Sequence, residues 1–115
     1  MRDKLVEWQW ESYPRNHQDP RNLLIHIVAV PGFVIGLIGG LLAIGFDLVE
    51  LGLYGFGLTA LSFLAQGLGH KLEKEPPIPF DGAGDAVSRI ITEQFVTFWR
   101  FVLSGQWLAA IFKRS

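Results

Sequence analysis

The chain has 115 residues, of which 50% are hydrophobic and only 18% are charged, and its formal net charge is -1. This length corresponds to one domain, which we place at residues 1–115, and the absence of a net positive charge argues against a nucleic-acid partner. There is no cysteine, which excludes disulfides, thiolate metal ligands and thiol nucleophiles. The three histidines are therefore the main candidates for metal ligands.

An amphipathic segment precedes the apolar part of the chain. Residues 1–17 mix charged side chains with Trp8, Trp10 and Tyr13, a pattern typical of a short helix at a membrane surface. A frayed amphipathic arm is the alternative. Asp19-Pro20 then interrupts the chain, because the residue before proline disfavours the helical conformation and proline suits a first helical turn.

Two long apolar segments follow, at about residues 22–46 and 48–72. The stretch from Leu23 to Phe46 has no charged residue, and neither has the stretch from Leu51 to Gly69. Each is long enough to cross a hydrocarbon core of about 30 Å at roughly 1.5 Å per residue. The short connection between them predicts an all-α integral membrane protein built on an antiparallel transmembrane hairpin, with an N-terminal interfacial helix and a C-terminal helix.

Small residues recur on both predicted spans. Such faces let helices approach closely, or let copies of a protein associate as homo-oligomers. The glycines concerned are Gly32, Gly36 and Gly40 in the first span and Gly52, Gly55 and Gly57 in the second.

The C-terminal third begins with a loop rich in proline and glycine, residues 75–87. We expect a helix from Arg89 to about Leu103 that resumes from Gln106 to Phe112. Because charges such as Glu93 interrupt it, this part is either a third span with polar residues facing the bundle or an interfacial ending. The interfacial alternative is favoured, because it keeps the basic residues on one side of the membrane, the cytoplasmic one.

The predicted hairpin brings two histidines to the same membrane surface. His26 precedes Asp47 by 21 residues and His70 follows Asp47 by 23, so the two imidazoles should lie at similar depth. His17, just before the Asp19-Pro20 break, can fold over the same end. The sequence therefore predicts that the three histidines meet around one metal ion.

Two polar residues accompany the histidines. On a helix Asn22 shares a face with His26, and Glu73 shares a face with His70. Three imidazoles near a carboxylate suit Fe(II) or Zn(II), and a neighbouring polar group can fix an imidazole tautomer. Asn22 and Glu73 are thus candidate catalytic residues, although a surface role for the histidines and a solvated Glu73 are the alternatives.

The order of these residues resembles the Mpo-like family of small membrane proteins, which are related to a fungal endoplasmic-reticulum 2-hydroxy-fatty-acid dioxygenase. The similarity covers about residues 13 to 77. The residues that carry it are Tyr13, His17, Asn22, His26 and Pro31, followed by Gln66, Gly69, His70, Glu73 and Lys74.

The resemblance implies an Fe(II)-dependent dioxygenase that shortens a 2-hydroxy fatty acid by one carbon, with molecular oxygen as co-substrate and His17, His26 and His70 as metal ligands. Tyr13, Arg21 and Gln66 are then the candidate substrate-binding residues. The expected location is the inner membrane of a bacterium or the endoplasmic reticulum of a eukaryote. Two alternatives stay open: a zinc hydrolase, and a non-enzymatic membrane protein that holds a structural metal or none and associates through its glycines.

Overall fold

The computed structural model describes residues 3–113, and this range contains helices and no strand. The all-α prediction is therefore confirmed. The predicted N-terminal helix is present as α1, while residues 1, 2, 114 and 115 lie outside the described range. The helices are α1 (Leu5–Asn16), α2 (Pro20–Gly45), α3 (Val49–His70), α4 (Ala83–Thr92), a π-helical turn (Glu93–Thr97), α5 (Phe98–Leu103) and α6 (Gln106–Lys113).

The helices α2 and α3 form the predicted antiparallel hairpin. Its turn contains Asp47 in the left-handed conformation, which aspartate tolerates better than most residues. The helices touch backbone to backbone, because a Cβ added to Gly55 would lie 2.8 Å from the carbonyl oxygen of Gly36. Gly57 does not take part in this contact, contrary to expectation, since a Cβ added there would meet nothing within 4 Å. Most of the predicted glycine face is thus used within the chain.

The start of α2 is fixed by local hydrogen bonds. The side chain of Asp19 accepts a hydrogen bond of 2.8 Å from the backbone N–H of Arg21, and Pro20 occupies the first turn. The helix then continues through Pro31 to Gly45. This arrangement places His26 less than two turns into the helix.

Two helices of the described chain, α2 and α3, are long and apolar enough to cross a membrane. Large apolar side chains on their outer faces are exposed, including Val28 at 73%, Leu61 at 68% and Tyr54 at 76%. A helix that is apolar all round needs an apolar environment. The hairpin therefore has the composition of a pair of membrane spans.

The remaining helices pack around the amino-terminal part of α2. Tyr13 of α1, Leu23 and Val30 of α2, and Phe98 and Phe101 of α5 form a buried core cluster. The indole N–H of Trp107 in α6 donates a hydrogen bond of 3.0 Å to the carbonyl of Leu23. The core thus lies at the end of the hairpin where the histidines are found.

The last third differs in detail from the prediction. Its first helix begins at Ala83, directly after Gly82, rather than at Arg89. Ala83–Leu103 and Gln106–Lys113 are together apolar enough for a span, but they bend by 69°. This bend at Ser104-Gly105 is compatible with either a broken span or a re-entrant ending.

Candidate metal site

The three histidines lie together in a triangle. The ring centroids of His17 and His26 are 4.9 Å apart, those of His17 and His70 are 4.9 Å apart, and those of His26 and His70 are 4.8 Å apart. His17 follows α1, His26 belongs to α2 and His70 ends α3. Side chains that are distant in sequence therefore converge because the hairpin is antiparallel and α1 folds back over its open end.

A carboxylate completes the group, and it comes from Glu93 in the π-helical turn. Its Oε2 atom is 3.4 Å from Nε2 of His17 and 3.5 Å from Nε2 of His26. The same oxygen accepts a hydrogen bond of 2.8 Å from the Tyr13 hydroxyl. One potential ligand atom from each of Glu93 and the three histidines lies within 4.8 Å of every other.

The imidazole tautomers follow from two backbone contacts. Nδ1 of His17 is 2.9 Å from the carbonyl oxygen of Tyr13, and Nδ1 of His26 is 3.1 Å from that of Asn22. A carbonyl only accepts, so each Nδ1 carries a proton, and in the neutral imidazole Nε2 then presents its lone pair. Both lone pairs then point toward the Glu93 carboxylate, which is itself an acceptor.

No hydrogen-bond donor from the described residues pairs with the imidazole nitrogens at the centre of this arrangement. Nε2 of His17, Nε2 of His26 and Nδ1 of His70 are buried and have no hydrogen-bond partner among residues 3–113. Buried polar atoms are rarely left unpaired, and a cation between the imidazole lone pairs and the carboxylate would pair all of them. The donor set therefore fits a metal ion held by His17, His26, His70 and Glu93.

The spacing also suits metal ligation. Bonds of about 2.1 Å at tetrahedral angles place two ligand atoms about 3.4 Å apart. The distances from Glu93 Oε2 to Nε2 of His17 and His26 are 3.4 and 3.5 Å, close to that value. Ligand atoms that lie up to 4.8 Å apart need only a small contraction of the group.

Burial shifts the pKa values of Tyr13 in α1 and of His17, which follows α1. It lowers the pKa of His17, an effect that the neighbouring Glu93 partly offsets. Burial also raises the pKa of Tyr13 well above its usual value, and Glu93 raises it further. At neutral pH the His17 imidazole is thus neutral and Tyr13 remains a hydrogen-bond donor to Glu93.

The four candidate ligands, called the metal group below, are His17, His26, His70 and Glu93. Glu73 is not among them, and the structure corrects two expectations about it. The helix α3 ends at His70 and Glu73 follows in a turn, so the two residues do not share an α-helical face as expected. Glu73 is also not solvated, since it is only 8% exposed. Its carboxylate accepts hydrogen bonds of 2.9 to 3.1 Å from the backbone N–H groups of Gln18 and Asp19. Glu73 therefore joins the end of α3 to the junction between α1 and α2.

Asn22 is fully buried beside the metal group. Its side-chain amide donates a hydrogen bond of 2.7 Å to Glu73, whereas its backbone carbonyl accepts from Nδ1 of His26. The side chain also packs against Gly69, where a Cβ would collide with its oxygen. The main chain of Asn22, rather than its side chain, thus orients the imidazole.

The three candidate substrate-binding residues lie in different surroundings. Tyr13 is buried, stacks on the His17 ring with a centroid distance of 3.7 Å, and lines a cavity beside the metal group. Gln66 lines the same cavity and exchanges hydrogen bonds of 2.9 and 2.7 Å with Gln94. Arg21 is exposed, pairs with Asp19 at 2.9 Å and does not line that cavity. Only Tyr13 and Gln66 are placed to meet a ligand there.

The cavity gives the metal group access to its surroundings. Its volume is about 220 Å³, and Tyr13, His17, His70 and Glu93 form part of its wall. Apolar residues form much of the remaining wall, including Phe63 of α3 and Phe80 of the loop before α4. A ligand that fills this space would contact the histidines and Glu93 at one end.

Sequence reasoning did not place Glu93 with the three histidines. The residue stands in an apolar, aromatic helix, where we interpreted it as an interruption of a possible third span. The signal was present, because an ionisable residue inside such a segment usually has a partner and a function. The π-helical turn itself, a common feature of functional sites, has no recognisable sequence pattern here.

Comparisons of this chain with protein-family profiles, with curated proteins and with solved structures gave no match. Evidence on function therefore comes from the donor set, its tautomers and the cavity that adjoins it.

Proposed function

We propose that the protein is an integral membrane Fe(II)-dependent dioxygenase that shortens 2-hydroxy fatty acids by one carbon. The observation that carries the metal site is the convergence of unpartnered imidazole nitrogens of His17 and His26 on the Glu93 carboxylate. The adjoining cavity supports a catalytic rather than a closed site. The choice of iron and of substrate class rests on the resemblance to the Mpo-like family.

The proposed location follows from the hairpin. The helices α2 and α3 would cross the inner membrane of a bacterium or the endoplasmic-reticulum membrane of a eukaryote, with the metal site at the cytoplasmic end. Exposed basic residues such as Arg15 and Arg21 lie near that end, and basic residues favour the cytoplasmic side. The substrate would then come from the membrane itself.

The proposed overall reaction joins one 2-hydroxy acid with one dioxygen molecule and gives a fatty acid one carbon shorter, carbon dioxide and water. The bond between C1 and C2 breaks, the substrate carbons are oxidised and dioxygen is reduced. Bound Fe(II) would supply open positions for the hydroxy-carboxylate group and for dioxygen.

The residues around the site then have separate tasks. The carbonyl groups of Tyr13 and Asn22 hold the His17 and His26 rings in the ligating tautomer. The Tyr13 hydroxyl donates a hydrogen bond to one Glu93 oxygen and so orients the carboxylate. The buried rings of Phe98 and Phe101 keep water from the far side of the histidines.

A second candidate is a non-enzymatic membrane protein with a structural zinc ion. The observation in its favour is the fourth donor, because three histidines and Glu93 can close a tetrahedral site. In that case the cavity would have no catalytic use. A zinc hydrolase would retain an open position and would consume no oxygen.

Metal analysis and oxygen uptake separate these candidates. The protein is purified in detergent, its iron and zinc are measured per chain, and consumption of 2-hydroxypalmitate is followed with and without a chelator. We expect one iron per chain, oxygen uptake with substrate, and loss of both in His70→Ala. The exposed Glu75→Gln variant is the control, since its side chain is 63% exposed on the loop. Absence of stoichiometric metal, or full activity of His70→Ala, would refute the dioxygenase proposal.

A further inference from the structure

The cavity beside the metal group has two chemically different ends. Tyr13, His17, His70 and Glu93 form the polar end. The opposite wall is apolar and reaches the surface, because its Ile78 is 58% exposed. The apolar residues of that wall are Phe63, Pro77, Ile78, Pro79 and Phe80. A ligand that matches both ends has a metal-binding head and an apolar body.

The apolar end opens beside a helix that is long enough to cross a membrane. Phe63 and Gly67 both lie on α3, and both line the cavity. Phe63, Gly67 and His70 are four and three residues apart, so they share one face of the helix. This face leads from the apolar part of the span to the metal group, and Gly67 is its midpoint.

The opposite side of the opening is held in place by Arg89. Its guanidinium donates hydrogen bonds of 2.6 Å to the carbonyl of Ile78 and 3.2 Å to that of Pro79. It also lies 4.6 Å from the centroid of the Phe80 ring and 5.0 Å from that of Trp8. The proline-rich segment is thereby fixed as a wall, and the cavity is already formed before a ligand binds.

We propose that this cavity binds one acyl chain of a membrane amphiphile, and that the chain passes over Gly67 to bring its head group to the histidines. The inference deepens the proposed function and rests on it. Gly67 provides the room, since a Cβ added there would meet nothing within 4 Å. A side chain at this position would occupy the path of the ligand without disturbing the packing of α3.

The helix offers a matched control for this position. Gly57 also lies on α3 and is also free of neighbours within 4 Å of an added Cβ, but it does not line the cavity. Leucine at either position has the same effect on helix propensity and apolar surface. Only leucine at position 67 reduces the space of about 220 Å³ beside the metal group.

Photocrosslinking of full-length protein in lipid nanodiscs tests the proposal without using catalysis. The probe is a 2-hydroxy fatty acid with a diazirine in the middle of its chain, applied without oxygen, and the labelled peptides are mapped by mass spectrometry. We expect labelling near Phe63 and within residues 77–80. Labelling should fall about tenfold in Gly67→Leu, because the leucine side chain would fill space that the acyl chain needs. Labelling should stay unchanged in Gly57→Leu.

Metal content is measured on the same samples. A normal metal content with lost labelling in Gly67→Leu supports the proposal, whereas equal labelling of the two leucine variants overturns it. If Gly67→Leu also loses the metal, Gly67→Ala decides, since reduced labelling supports the proposal and unchanged labelling overturns it. Wild-type protein that is labelled in the cavity but carries no metal contradicts the proposed function and leaves acyl binding supported.

Discussion

Replacing Glu93 by glutamine removes the one carboxylate among the four candidate metal ligands with little change in shape. The new amide oxygen can still accept the hydrogen bond of the Tyr13 hydroxyl, which is 2.8 Å in the native protein. The three imidazoles remain, but the negative charge beside Nε2 of His17 and His26 is lost. The expected result is a folded protein with much weaker metal binding.

The size of the effect can be estimated from ligand chemistry. Changing even an outer partner of a metal ligand weakens metal affinity about 10- to 100-fold, so loss of a direct ligand should cost at least about 100-fold. A metal at 100 times its dissociation constant stabilises a protein by about 2.7 kcal/mol. In Glu93→Gln the same concentration should contribute only about 0.4 kcal/mol. The unfolding temperatures of the metal-loaded proteins should then differ by about 10 °C.

Thermal unfolding in detergent, followed by circular dichroism with and without added Fe(II) or Zn(II), measures this difference. Glu75→Gln serves as the control, because Glu75 is exposed and contacts Arg15 at 3.8 Å rather than the histidines. A metal-induced stabilisation of Glu93→Gln as large as that of the wild type would show that Glu93 is not a ligand. The absence of any stabilisation of the wild type would refute the metal site itself.

Three further predictions concern the scaffold. Glu73→Ala should lower the free energy of unfolding by about 3 kcal/mol, because the backbone N–H groups of Gln18 and Asp19 lose their acceptor. Chemical unfolding measures this free energy, and a variant as stable as the wild type would show that Glu73 does not stabilise the junction between α1 and α2. Gly55→Val should destabilise the hairpin by about 2 kcal/mol or more, whereas Gly57→Val should unfold like the wild type; equal stabilities would disprove the close approach. Burial lowers the pKa of His17, so as the pH falls this imidazole is protonated in the unfolded state before it is protonated in the folded state. The stability of the metal-free protein should therefore fall as the pH drops below about 6.5. His17→Gln should flatten that pH dependence of the unfolding temperature, and an unchanged slope would argue against it.

The sequence predicted the hairpin well because its signal is simple. Long uncharged segments separated by a few polar residues leave little choice of fold in a membrane, and near-equal distances from Asp47 set His26 and His70 at similar depth. The convergence of the histidines followed from that topology alone. Packing between α2 and α3 likewise agreed with the glycine spacing, except at Gly57. Whether the face of α3 that carries Gly57 meets α2 depends on how the two helices cross.

The remainder of the site depended on features that sequence spacing does not encode. Glu73 was assigned to the site on the assumption that α3 extends beyond residue 70, but the helix ends at His70 and the chain turns. Its carboxylate then meets the backbone N–H groups of Gln18 and Asp19 instead of an imidazole. Glu93 reaches the histidines only because its helix folds back from the far side of a long irregular loop, a tertiary contact that no local pattern announces.

The π-helical turn at Glu93–Thr97 sets the direction of Glu93 around its helix axis. Such a turn corresponds to one residue inserted into an ordinary helix, and each residue of an α-helix accounts for about 100° of rotation. Deleting one residue from this turn would leave Ala83–Thr92 and Phe98–Leu103 helical, but it would rotate Glu93 away from the histidines. The extra residue of this turn therefore lets Glu93 face the histidines while Phe98 and Phe101 stay in the buried core.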